Sequence, residues 1–134
     1  MNSLYGLGRE GFAGGDLDWD AHNIKVILGD AADYTVQIDV HQFLTSIGAP
    51  ARVAVSGNLI NKTKALGVMD ADDVVLPNVN GDACAFIAIF MDSGVEATSR
   101  LIAYIDTATG LPVAPNGGNI TIQWDQGSAK IFRL

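Results

Sequence analysis

The chain has 134 residues, 49% of them apolar and 17% charged, a balance that supports one packed core and argues against general disorder. No run approaches the roughly 20 apolar residues that a helix needs to cross a bilayer, and a single cysteine excludes an intrachain disulfide scaffold. Eight Lys plus Arg stand against fifteen Asp plus Glu, thirteen of them Asp, for a net charge of -7, a field that opposes nucleic acid and anionic membrane as partners.

Residues 1–20 differ from the rest. Gly6, Gly8, Gly11, Gly14 and Gly15 are interleaved with Leu4, Tyr5, Leu7, Phe12, Leu17 and Trp19. Glycine at this density raises the entropy lost on ordering, yet the large apolar side chains are costly to leave in water. Two placements satisfy both facts: the segment lies along its own domain, or it is an extended arm that orders on a neighbouring subunit. The expected division is therefore a Gly-rich N-terminal arm over 1–20 and a single β domain over 21–134. The opening MNSLYGLGREG lacks a basic start and an apolar h-region, so no secretory signal is expected.

Beyond it the pattern is strand-like. Residues 24–28 form a short apolar run, and Tyr34, Val36, Ile38 and Val40 alternate with Thr35, Gln37, Asp39 and His41, the period of a half-buried strand. One helical turn is expected over 42–47, closed by Gly48 and Pro50. A strand resumes at 52–55, and residues 58–66 suggest a strand with an exposed face. Short apolar pairs follow at 68–69 and 74–76, on either side of the acidic stretch 70–73. Asn80-Gly81 predicts a type I′ hairpin, because both residues tolerate positive φ. Residues 83–91 are the most hydrophobic run and predict a central strand covered on both faces. Residues 101–105, 120–124 and 130–134 complete the set, with a Gly- and Pro-rich connection over 106–119. Seven or eight short strands without a long helix predict an all-β fold, a mostly antiparallel β-sandwich or barrel. Ile131, Phe132 and Leu134 keep the last strand apolar to its end, which predicts pairing in the sheet or a subunit contact.

Few residues suggest chemistry. Asp16, Asp18 and Asp20 would share one face of an extended strand and form a weak hard-cation candidate, but the calcium-loop pattern fails at Ala21 and Ile27. Asp70, Asp72 and Asp73, and Asp30 with Asp33, read as turn acids. His22, His41 and Cys84 are too few and too scattered for a zinc site, and Cys84 reads as a buried small hydrophobe. No nucleophile elbow, P-loop or dinucleotide fingerprint occurs, so neither an enzyme nor a cofactor is expected. Leu111, Pro112, Pro115 and Asn116 shape a rigid loop that suits a contact. Tyr34, Trp124 and the loop 110–118 leave a carbohydrate-binding β-sandwich open as an alternative, and a hydrolase would need acids converging on a cleft.

Several stretches carry a resemblance: Tyr5…Gly8-Arg9-Glu10…Phe12…Gly15-Asp16…Asp18-Trp19, Asp70-Ala71-Asp72-Asp73, and Leu101-Ile102-Ala103-Tyr104-Ile105-Asp106. Leu111-Pro112…Pro115-Asn116-Gly117-Gly118 and Lys130-Ile131-Phe132-Arg133-Leu134 belong with them. Over nearly the whole chain the sequence resembles small structural proteins encoded among the head genes of tailed bacteriophages, of the capsid decoration (cement) type. The resemblance implies a β-rich, non-enzymatic homo-oligomer, a trimer before a dimer, bound to the major capsid protein on the outside of the head. It implies assembly in the bacterial host cytoplasm and residence in the virion; a tail, neck or fibre position is the alternative. Leu4, Tyr5, Leu7, Arg9, Phe12, Leu17 and Trp19 would then supply the arm contact, with Ile131, Phe132 and Leu134 at the other end.

Overall fold

The computed structural model describes all 134 residues and divides them into ten short strands and one helix. In chain order these are β1 (Asn2–Leu4), α1 (Gly6–Gly14), β2 (Asn23–Gly29), β3 (Arg52–Val55), β4 (Thr63–Ala65) and β5 (Val68–Asp70). β6 (Val74–Leu76), β7 (Phe86–Asp92), β8 (Leu101–Ile105), β9 (Ile120–Ile122) and β10 (Phe132–Arg133) follow, with 3₁₀ turns at Leu44–Ser46, Ala49–Ala51 and Glu96–Thr98. All ladders are antiparallel: a five-stranded sheet ordered β1-β8-β7-β2-β3, a three-stranded sheet β10-β5-β4, and the pair β6-β9. The mostly antiparallel β class is as expected; no sheet closes into a barrel, because the large sheet ends in open edges at β1 and β3. No helix is long and apolar enough to cross a membrane.

The expected central strand is β7, and alternation sends its side chains into two cores. Ile87, Ile89 and Met91 join Ile24, Val26 and Leu28 on one face, under Met69, Val74, Leu76, Ile122, Phe132, Trp19 and Trp124 from the small sheets and turns. Phe86, Ala88 and Phe90 join Ile27, Leu101 and Tyr104 on the other face, under Tyr5, Tyr34, Leu44, Ile47 and Ala51. The second cover is largely irregular. Arg52 ties it down, donating from Nε to the Ile47 carbonyl at 2.7 Å and from its guanidinium to Leu44 at 3.2 Å.

The extended arm expected over 1–20 is corrected. Residues 2–4 are an edge strand, and 6–14 are helical. Glycine disfavours a helix by about 0.8–1.0 kcal/mol per residue relative to Ala, so packing must stabilise α1. Here Gly8 and Gly11 are the buried residues of its inner face. A Cβ on Gly8 would lie 2.6 Å from the Leu101 carbonyl oxygen, so only glycine lets the helix rest this closely on β8. Gly15 at φ 83° closes the helix, with its N–H donating to Phe12 and that of Asp16 to Gly11, a Schellman arrangement. Tyr5 and Trp19 are 0% and 1% exposed. The segment lies along its own domain.

Two further expectations differ. Tyr34 to Ile38 show the alternating burial of a strand, which ends at the exposed Val40, and the stretch joins no ladder; the segment crosses a sheet face, where its tie to α1 is the Gly6 N–H to Ile38 carbonyl bond at 2.9 Å. Asn80-Gly81 does not form a type I′ hairpin, since positive φ falls at Asn78 and Gly81 rather than at Asn80. β6 pairs with β9 instead, so a long-range ladder prevails over a local turn preference. The type I′ positions occur at Leu66 (φ 52°) and Gly67 (φ 77°), between β4 and β5.

Two outcomes follow from the cores. Gly8→Ala gains about 1 kcal/mol of helix propensity but meets a backbone carbonyl that cannot rotate away. The clash, at about 1–3 kcal/mol, prevails, and urea unfolding should show a net loss of up to about 2 kcal/mol. The second concerns the buried chain in which the Tyr5 hydroxyl meets Tyr34 at 2.8 Å and Tyr34 meets His41 Nδ1 at 2.8 Å. Burial holds the His41 imidazole below its ordinary value of 6.5. The unfolded chain therefore takes up this proton at higher pH than the fold does. Its contribution is complete above 6.5 and is lost as pH falls through the lower folded value. Urea midpoints between about pH 7.5 and 5 should fall more steeply for the native chain than for His41→Gln.

Candidate functional site: a groove between the first and last strands

The largest recess lies where the two ends of the chain meet. Two cavities of about 350 and 620 Å³ adjoin there and share Asn2, Ile105 and Ile131. Ser3, Leu4, Arg9, Phe132 and Arg133 line the first; Thr107, Trp124, Asp125 and Lys130 lie along the second. β1 forms one wall because it pairs only with β8, and β10 the other because it pairs only with β5.

Packing beneath the groove fixes both walls. The Phe132 ring receives Trp19 edge-on, with centroids 5.3 Å apart and planes at 88°, and it lies 6.0 Å from Phe12. Trp19 Nε1 donates to the Asp70 carbonyl at 3.2 Å, linking the segment after α1 to β5. The Asn2 side chain clamps the start of β1: Oδ1 accepts the N–H groups of Asp106 and Thr107, each at 3.1 Å, and Nδ2 donates to the Thr107 carbonyl at 2.8 Å.

Of the sequence candidates, Leu4, Arg9, Ile131 and Phe132 come together here. Tyr5, Leu17 and Trp19 are core residues, while Leu7 and Phe12 are half-buried. Leu134 is 51% exposed beside the β4–β5 turn, its N–H donating to the Gly67 carbonyl at 2.9 Å. Leu111, Pro112, Pro115 and Asn116 lie apart from the groove walls; Leu111 packs against the large core, and Asn116 Oδ1 accepts the Gly118 N–H at 2.9 Å. Tyr34 and Trp124 are buried and present no broad ring face to a sugar; Trp124 Nε1 donates to the Asp72 carbonyl at 3.0 Å.

The three acids expected to share one face divide, Asp16 going one way and Asp18 with Asp20 the other. Asp16 faces Arg100 at 3.4 Å, while Asp18 and Asp20 both face Lys64, at 3.9 and 3.4 Å. Asp18 Oδ1 accepts the N–H groups of Asp20 and Ala21, and the bond from Ala21 is the main cause that lowers its carboxyl pKa. The chain turns after Leu17, so the extended geometry that would align the three is absent. A different trio lies close together, Asp30, Asp33 and Asp82, with carboxylate oxygens within 4.8 Å of one another. Sequence reading missed it because Asp82 arrives through the tertiary fold. Asp73 Oδ1 accepts the Trp124 N–H at 2.9 Å, so the acidic stretch 70–73 braces an aromatic anchor. Cys84 is buried as expected, and burial pushes its thiol pKa up.

Sequence reading also missed Arg133, Ser3 and Asn2 as groove residues. Their strand assignments were available only for the last of the two walls, and nothing in the spacing placed residue 3 beside residue 133. The sequence matches no known family model and no curated protein.

The aromatic contact beneath the groove can be tested directly. Phe132→Ala should cost about 3–5 kcal/mol by removing a buried ring. It should also weaken the near-ultraviolet circular dichroism of Trp19, whose edge contact it deletes.

Proposed function

We propose that the protein is a non-enzymatic structural component of a tailed-phage virion, a capsid decoration protein that binds the outside of the head and stabilises it. The small sheets on one face of the large sheet are taken as the second layer of a β-sandwich. The partner is the major capsid protein, the working form a homo-oligomer, a trimer before a dimer, and no cofactor takes part. The protein assembles in the host cytoplasm and resides in the virion.

One observation carries this proposal beyond the resemblance of the sequence. Leu66 is 99% exposed and sits at φ 52° in the two-residue turn between β4 and β5. A left-handed conformation costs a side chain such as Leu about 1–2 kcal/mol, and Asn or Gly is the favoured residue there. Folding alone gains nothing from an apolar, strained and fully exposed side chain. Leu134 stands beside it, so the hairpin tip presents two leucines on a chain of net charge -7. An apolar tip within an acidic surface suits docking on a protein lattice, where the charge steers approach to basic patches and repetition multiplies weak contacts.

Leu66→Asn separates folding from docking. Asn relieves the turn, so the thermal midpoint should stay level or rise. Co-sedimentation with heads that lack the protein should fall several-fold, and further with Leu134→Ser added. Undiminished attachment of the double variant would remove the tip from the contact. Attachment to tails rather than heads would move the protein to a tail, neck or fibre position.

A further inference from the structure

We propose that the groove between β1 and β10 binds an extended acidic segment of a partner chain, which adds as a strand to the open edge of β1 and sets its carboxylates against Arg9 and Arg133. Two independent features of the groove meet in this assignment, one of charge and one of the main chain.

The charge feature is the distribution of arginine partners. Arg52 pairs with Glu96, Arg100 with Asp16 at 3.4 Å, Lys25 with Asp92 at 2.6 Å, and Lys64 with Asp20 at 3.4 Å. The guanidinium groups of Arg9 and Arg133 have neither a carboxylate nor a hydrogen-bond partner, and both residues are exposed. In a chain with fifteen acids and eight Lys plus Arg, the two arginines left free line one cavity of about 350 Å³. A guanidinium is a rigid fork matched to carboxylate geometry. The groove is thus a basic recess on an acidic molecule.

The main-chain feature is the edge of β1. Asp106 donates to the Met1 carbonyl at 3.2 Å and Tyr5 donates to the Ile102 carbonyl at 2.9 Å. Alternation along an antiparallel ladder therefore turns the N–H groups of Asn2 and Leu4 away from β8, toward the open edge. Across the groove, the Leu134 N–H bonds to Gly67 and turns the Arg133 main chain away from β5. An added strand of three or four residues spans about 10–13 Å, and its alternate side chains would reach the two arginines while the others face Leu4 and Ile131. Strand addition of this kind draws affinity from main-chain bonds and selectivity from the side-chain pockets.

This site does not depend on the virion assignment, since any partner with an extended acidic segment satisfies it. The test uses the isolated full chain and three capped hexapeptides that alternate Val with Glu, Val with Lys, or Val with Gln. The Val/Glu peptide should shift the amide resonances of Asn2, Leu4 and Arg133 in heteronuclear spectra, and should bind about tenfold or more tighter than Val/Lys, with the preference weakening in high salt. Arg9→Gln with Arg133→Gln, both at exposed positions, should keep the thermal midpoint and abolish the Glu preference. Equal binding of the three peptides, no shift at these amides, or an unchanged preference in the double variant would overturn the proposal. So would acetate or inorganic phosphate reproducing the shifts at similar concentration, which would mark a small-anion site. Self-association that the double variant abolishes would assign the groove to a second copy of this chain and overturn the assignment to a partner. Head attachment is read in a separate assay, so either proposal can fail alone.

Discussion

The fold depends on one constraint: β7 is buried on both faces, six of its seven residues lying in the interior. A strand in that position needs hydrogen-bonded neighbours on both edges and an apolar cover on both sides. β2 and β8 supply the neighbours. The covers come from whatever else the chain contains, because it has neither a second large sheet nor long helices. One is assembled from β4-β5-β10 and β6-β9 with two tryptophans; the other is irregular backbone between β2 and β3, closed by Tyr5 and held by Arg52. The N-terminal segment is drawn into both covers, through Trp19 on one face and Tyr5 on the other.

Close approach is what makes so small a chain sufficient. Gly8 lets α1 rest on the carbonyls of β8, and Gly29 leaves room for the Phe86 ring, which a Cβ there would meet at 2.2 Å. The acids meanwhile brace turns: Asp30, Asp92 and Asp125 each accept a backbone N–H two residues ahead. Most carboxylates and most cations are therefore committed to local structure. Arg9, Arg133 and the outer edge of β1 have no such commitment, and they gather at the groove where the first and last strands face each other. The apolar tip at Leu66 and Leu134 lies beside the same C-terminal strand, so two candidate contact features share one wall.

Elements whose signal is local were legible. The apolar runs at β2, β7 and β8 and the buried Cys84 follow from residue order alone, because a run of apolar neighbours is a local property. Tyr34 to His41 shows where this fails: burial follows the alternation only as far as Ile38, and a ladder needs a free sheet edge while the segment lies on a face. The glycines of 1–20 mislead in the opposite direction. They resemble flexibility in a sequence, yet Gly8 becomes a packing surface once β8 lies beneath it.

The sequence by itself determined an antiparallel β domain with a doubly buried central strand, an apolar last strand, turns rich in Asp and Gly, and an acidic surface, since composition and period dictate these. Only the tertiary structure decided that residues 1–20 fold onto their own sheet, and that Asp16 parts from Asp18 and Asp20. It alone brought Arg9 and Arg133 to one groove, because those contacts join residues more than a hundred positions apart and no local pattern records them.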